Sequence, residues 1–411
     1  MVKFLTLDDV DVSGKTVIVR PDFNVPIDPE TGRILDDTRI REHAITIKEL
    51  AEKGAKVVIL AHQGRPGEPD FTESLEQHAR ALEEAIGRPV KYVHDLYGPE
   101  AKEAIKALKP GEVLILKNVR TFPEERKKKS PEEHAQSELV RELAPLADLF
   151  VLDGFSVAHR AHASVVGFAA VLPAVAGRVM ERELRSLERA LEKPEKPCIC
   201  ILGGAKAEKC VDIIRYVLEK GIADKVLTGG LVGHVFLKAK GVELGAPSEE
   251  VLEKKGLAAL VPSMKALLDE FPGKIEVPVD VAYEIEGRRE ETDVDKLPID
   301  YPIFDIGAKT ADAYASEAAK AKSIIVSGPL GVYEKDLFAE GTRRVFEAVA
   351  SSGAFSLAGG GDTVAALKKL GLEGRFSFVS LAGGAFIEYL MGKKLPGVEV
   401  LEKAAEKAGK S

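Results

Sequence analysis

Ile-Cys-Ile-Leu-Gly-Gly-Ala-Lys, residues 199–206, is a short apolar run that stops at two glycines and a lysine, and this punctuation recurs along the chain. Nine apolar runs each end in a loop suited to an anion, and the loop chemistry changes midway. Four precede the quoted stretch and end in Arg, His, Asn and Asp. They are Val17 to Val19 before Arg20-Pro-Asp22-Phe-Asn24, Val57 to Leu60 before His62-Gln-Gly-Arg65, Val113 to Leu116 before Lys117-Asn-Val-Arg120, and Leu149 to Leu152 before Asp153 through Arg160. Four follow it and end, like it, in glycines: Val226 to Thr228, Ile324 to Val326, Phe355 to Ala358 and Phe378 to Ser380.

Between the runs lie segments with helical spacing: Ile40 to Glu52, Leu75 to Ile86, Pro131 to Leu143, Asp212 to Lys220 and Thr342 to Ser351. Strands alternating with helices imply right-handed crossovers and parallel sheets buried on both faces, as the Val, Ile and Leu content requires. The expected class is α/β, with two doubly wound parallel-sheet domains. Ligands of such sheets bind beyond the carboxyl ends of the strands, which is where the loops fall. One half reads as built for an anionic small molecule and the other for a nucleotide.

The 411 residues, 45% hydrophobic, are enough to fill two cores. A net charge of −8 argues against nonspecific nucleic-acid binding, so a cluster of Arg and His is a local exception to an acidic background. No apolar stretch approaches the roughly 20 residues of a membrane span, and Met1 to Asp11 lacks the pattern of a signal peptide. The expected location is the cytoplasm. Cys198, Cys200 and Cys210 have no disulfide or zinc spacing and read as small buried hydrophobes. The segment 175–192 carries an apolar stripe and reads as a connecting helix; ~18 helical residues span about 27 Å. It separates a first domain, 1–174, from a second that begins at 193. Pro278 and Glu284 to Asp295 point to an irregular connection or a hairpin.

GGAK at 203–206 places glycine amides, a helix start and a lysine at one point, a cradle for phosphate; the plain alternative is an ordinary tight turn with a surface lysine. GGGDT at 359–363 adds Asp362 as a ligand for Mg²⁺ and Thr363 as a hydroxyl donor; the plain alternative makes either residue a helix cap. Gly383-Gly384-Ala385 repeats the turn without a charge. There is no P-loop motif, and no GxGxxG follows the first strand. In the first half Asp22, Asn24, Arg39, His62, Arg65, Arg120, His159, Arg160 and His162 gather at loops, and guanidinium forks there match phosphate and carboxylate.

These stretches resemble phosphoglycerate kinases over nearly the whole chain, and the archaeal branch more than others. VRPDFNVP at 19–26, AHQGRP at 61–66, AHRAHAS at 158–164, LGGAK, DIGAKT at 305–310, SGPLGVYE at 327–334, GGGDTVAAL at 359–367 and GKKLPGVEVL at 392–401 follow in the family's order. The resemblance implies that Asp22, Asn24, Arg39, His62, Arg65, Arg120 and Arg160 hold 3-phosphoglycerate or 1,3-bisphosphoglycerate. It implies that Gly203, Lys206, Glu334, Gly360, Gly361, Asp362 and Thr363 hold Mg·ADP or Mg·ATP, with Glu334 near the ribose. It also implies that the tail returns to the first domain from about residue 386, leaving 193–385 as the nucleotide domain. Three positions depart from the common pattern: Cys210 replaces a second lysine, with Lys209 one place earlier; Ser380-Leu-Ala-Gly-Gly-Ala385 replaces STGGGA; and Ser327 replaces an asparagine.

The expected reaction is reversible phosphoryl transfer between 1,3-bisphosphoglycerate and ADP after hinge closure. Arg39, Lys206 and the helix-start amides at Gly383 and Gly384 face the transferred charge, and Asp362 holds the metal. A different acyl-phosphate kinase, or a non-catalytic two-lobed anion-binding protein, is the alternative. No membrane partner is expected, and the chain is read as a monomer or a homodimer.

Overall fold

The computed structural model describes residues 1–409. Each of the nine apolar runs forms a strand over most of its length, and among the described residues six further strands join them. The first sheet contains β1 (Thr16–Arg20), β2 (Lys56–Ile59), β3 (Val90–Tyr92), β4 (Val113–Ile115), β5 (Leu149–Leu152) and β6 (Ala174–Ala176), in the order β3-β4-β2-β1-β5-β6. Every pairing in it is parallel. The chain winds to one side from β1 and returns to the other with β5, so the switch point lies between β1 and β5.

The second sheet repeats the plan with β7 (Cys198–Leu202), β8 (Lys225–Thr228), β9 (Ile275–Glu276), β13 (Ser323–Ser327), β14 (Phe355–Ala358) and β15 (Phe378–Val379). Its order is β15-β14-β13-β7-β8-β9, which puts the switch between β7 and β13. Between the two halves of this sheet the chain forms a separate antiparallel sheet of β10 (Asp280–Ile285), β11 (Arg288–Asp293) and β12 (Ile303–Ile306). The polar stretch from Glu284 to Asp295 is thus a hairpin.

Burial explains why the strands read so clearly. Val17, Val19, Val57 and Ile59 are fully enclosed and pack with Ile40, Ile47 and Leu50 of the helix Thr38–Glu52. Ile199, Ile201, Ile324 and Val326 do the same with Tyr314 and Phe346. The three cysteines are free and buried.

The chain divides into two compact units, one of Met1–Arg185 with the segment from Lys394, the other of Ser186–Lys393. The segment 175–192 is not all helix. Ala174–Ala176 is an edge strand, and the helix runs Arg178–Leu191, its first turn clamped where Arg178 meets Asp8, Glu49 and Glu181. The return to the first unit comes at Lys394 rather than 386, because the helix Gly384–Leu390 still packs on Ala207–Glu219. Helix Pro396–Lys407 then covers β6, with Gly397 N–H donating to Ala158 O at 2.8 Å. Pro131 to Leu143 breaks into Pro131–Ala135 and Glu138–Leu143, since Ser137 turns back to bond the His134 carbonyl. No helix of the described residues is long and apolar enough to cross a membrane.

Candidate active site

At the switch point of the first sheet, the loop after β1 is held from several sides. The Asp22 carboxylate accepts from Asn24 N–H (2.9 Å), Ser156 Oγ (2.5 Å) and Arg39. Burial pushes its pKa up, but Arg39, His62 and these donors prevail and hold it well below the usual carboxylate range. Asn24 Oδ1 accepts from Gly64 N–H at 2.8 Å, which joins the loops after β1 and β2. Behind them, Asp22 N–H donates to His43 Nε2 at 3.2 Å, and His43 Nδ1 meets Asp153 at 2.6 Å. Burial disfavours the charged ring, but Asp153, with Glu42 and Asp22 behind it, prevails and raises the pKa. The amide hydrogen aimed at Nε2 nevertheless demands a lone pair there, and this hydrogen bond selects the neutral ring.

A buried cation cluster adjoins this loop. Arg20, fully enclosed, donates to Ser164 Oγ (2.8 Å) and reaches His62 Nδ1 (3.0 Å). A guanidinium can only donate, so Nδ1 is the acceptor and His62 carries its proton on Nε2. Burial and the neighbouring Arg20 hold the His62 pKa well below its ordinary value. Arg120, 6% exposed, is pushed down to about 10 by burial and then by Arg20 and Arg160. His162 falls to about 3 through burial and the same three guanidiniums. Glu125 is the buried counter-ion: burial raises its pKa against Arg20 and the two hydrogen bonds from Ser164. Glu125 and Asp22 face Arg20, Arg39, Arg120 and Arg160, and two carboxylates among four guanidiniums leave an electropositive site suited to a multiply charged anion.

In the second unit the loops after β7, β13 and β14 border an open cleft lined by Gly203 through Lys206, Lys209, Cys210, Ser327, Gly328 and Gly360 through Thr363. A cavity of about 240 Å³ shares Gly204, Ala205 and Asp362 with it and continues along Gly230, Leu231, Phe304, Val332, Tyr333 and Glu334. A polar end with lysines and one carboxylate leading into an apolar slot suits a phosphorylated nucleoside.

Most of these residues stand out in the sequence, but some of them are where they are for other reasons. The amides of Gly203 and Gly204 do not face a ligand: they donate to Ser327 O (3.0 Å) and Pro329 O (2.8 Å). Gly203 is glycine because a Cβ would lie 2.1 Å from Pro329 O. Neither Asp362 nor Thr363 caps the following helix, whose cap is Gly360; Thr363 Oγ1 instead accepts Gly328 N–H at 2.6 Å. Arg65 is exposed on the turn after Gly64, and Arg39 is half-buried against Asp22. Gly383 and Gly384 fall outside the cleft lining, to which their helix contributes Ile387. Lys209, Cys210 and Ser327, which carry two of the three departures, do line it, whereas Leu381 does not. Arg20, His43, Glu125, Asp153 and Ser156 were missed as site residues. Arg20 and Asp153 stood at strand ends in the sequence, but nothing local marked Glu125 or His43. DIGAKT proved structural: Asp305 accepts Arg289 and Gly341 N–H, and Lys309 pairs with Asp293.

A family model described as Phosphoglycerate kinase matches residues 7–393. The phosphoglycerate kinase of Methanothermobacter thermautotrophicus is 48% identical over 402 residues, covering 98% of this chain and 97% of its own. That of Methanobacterium bryantii is 46% identical over 407 residues, 99% of each. The crystal structure of phosphoglycerate kinase from Pyrococcus horikoshii OT3 matches with a TM-score of 0.88 at 42% identity, over 98% of this chain and 100% of that one. The Coxiella burnetii structure gives 0.83 at 35%, with the same coverage. The chain belongs to the phosphoglycerate kinase family, and so to the phosphotransferases.

Proposed function

We propose that the chain reversibly moves a phosphoryl group between 1,3-bisphosphoglycerate and ADP, with 3-phosphoglycerate and ATP as the other pair. The observation that carries this reading is that Arg20, Arg120 and Arg160 depress the titration of the same groups at one switch point, while Lys206 and Asp362 line one cleft at the other. The first unit then takes the glycerate. His62 offers Nε2–H and Arg120 and Arg160 offer guanidinium forks to its carboxylate and phosphate. Arg65 and Asn24 complete the grip, and Arg39 leaves Asp22 to face the transferred group.

The second unit takes the nucleotide, its phosphates near Lys206 and its ribose near Glu334. Asp362 is the one carboxylate in the phosphate cleft. A single carboxylate fits Mg²⁺, which keeps several waters and takes its other ligands from phosphate oxygens. When bound, the ion neutralises charge on the nucleotide phosphates.

The acceptor carboxylate of 3-phosphoglycerate is ionised at neutral pH, so transfer to it requires no general base. What remains is positioning and electrostatic stabilisation. Because the two substrates are assigned to different units, transfer requires the units to bring them in line and exclude water, and we assign that motion to the connecting helix. A Mg-dependent ATP assay tests the reading with 3-phosphoglycerate, acetate, and bicarbonate plus ammonia as acceptors. Turnover with 3-phosphoglycerate alone is expected. Preference for either other acceptor would make the chain a different acyl-phosphate kinase, and turnover with none would leave an anion-binding protein.

A further inference from the structure

We propose that His43 and Asp153 form a positioning relay that fixes the Asp22 loop against the start of the connecting helix. The proposal rests on the glycerate reading of the first unit. Asp22 follows a proline, which has no N–H, so the Asp22 amide is the first donor the loop offers after Arg20. It is buried and donates to His43 Nε2 at 3.2 Å. With a lone pair required at Nε2, the ring proton belongs on Nδ1, where it donates to Asp153 Oδ2 at 2.6 Å. Asp153 is fully buried, and its Oδ1 accepts Thr46 Oγ1 (2.8 Å) and Val179 N–H (3.1 Å). Thr46 Oγ1 also accepts Arg178 N–H at 3.0 Å, so the first two amides of the connecting helix end on this network. Gly177 makes room for it: a Cβ there would lie 2.0 Å from Asp153 Oδ1.

A histidine that merely filled space would need neither a fixed tautomer nor a buried carboxylate behind it. Here each bond dictates the next, from the helix start through Asp153 and His43 to the Asp22 amide. The Asp22 carboxylate then receives Arg39 and Ser156, and Asn24 receives Gly64 N–H. Losing the acceptor at His43 therefore frees the loop that orients two glycerate-binding segments, while the cavity of the second unit is untouched. His43 and Asp153 meet no substrate in this assignment and act only through Asp22.

Steady-state kinetics of the full chain with 3-phosphoglycerate and MgATP test the relay. His43→Leu removes both bonds. Asp153→Asn keeps Oδ1 for Thr46 and Val179 but turns an N–H towards the ring, which moves the ring proton to Nε2 and against the Asp22 amide. Both variants should raise KM for 3-phosphoglycerate about tenfold while KM for ATP stays within about twofold, and His43→Gln, which retains an acceptor, should recover most of the loss. An unchanged glycerate KM, or an equal rise in both constants, would overturn the relay. If His43→Leu does not fold, the volume-conserving Asp153→Asn decides. Long-range ¹H–¹⁵N spectra of the wild type read the tautomer directly: Nδ1–H is expected, and an Nε2–H or doubly protonated ring contradicts the proposal. That readout stands even if the wild type turned over no 3-phosphoglycerate, an outcome that would defeat the functional reading instead.

Discussion

Lys206 is exposed at the end of the β7 loop and precedes the helix Ala207–Glu219, while Arg39 stays half-buried on Asp22. If these are the two charges that meet the transferred phosphoryl group, Arg39→Ala and Lys206→Ala should each lower kcat on the order of 10² to 10³, as removing an oxyanion donor does. Near wild-type turnover in both would refute the assignment. Arg65 is exposed; if its role is uniform binding, Arg65→Ala should raise KM for the glycerate more than it lowers kcat. A titration with unchanged KM would reject that role. Residue types alone revealed the Arg and His cluster because strand ends collect on one edge. They did not reveal Glu125 or His43, whose importance comes from partners 39 and 110 positions away.

Short edge strands and loop glycines explain most of what was not legible among the elements. β3, β6 and β9 have only two or three residues each, too few for a periodicity, and they are defined by pairing to a neighbour. The glycine loops were found, but not the reason for each glycine, since that depends on what approaches across the sheet. Two substitutions separate the reasons. Gly203→Ala pushes a methyl into Pro329 O and should cost about 1–3 kcal/mol in urea unfolding. Gly361 has nothing within 4 Å of a Cβ, so Gly361→Ala should leave the unfolding midpoint in place and raise KM for ATP several-fold, if phosphate lies against it. Equal midpoints for both variants would contradict the packing account.

At the scale of the molecule, acid sensitivity follows from histidines kept neutral by burial. His78 and His234 titrate at about 4 and His162 at about 3, all below the ordinary value. Between pH ~6.5 and 4 the unfolded chain binds protons that the folded chain refuses, so stability is highest above that window and falls as pH drops through it. Each group contributes up to about 1.4 kcal/mol per pH unit there. His43, Asp305 and Glu125 oppose this, since each takes up a proton more readily in the folded chain, but His62 and His134 join the three rings that refuse one. Urea midpoints measured from pH 8 to 5 should decline; a flat or rising profile would refute the burial argument. The split into two units was legible from the change in loop chemistry, and the exact boundaries were not, because a helix shared by two units carries no break in its apolar stripe. The division of labour proposed for them is a separate claim. The most direct test of that division is amide chemical-shift mapping of the labelled chain with each substrate alone. Saturating 3-phosphoglycerate should perturb residues 20–24, 62–65, 118–120 and 153–164, and ADP should perturb 203–210, 327–334 and 359–363. Shifts from the glycerate concentrated in the glycine loops, or from ADP in the arginine cluster, would contradict the account.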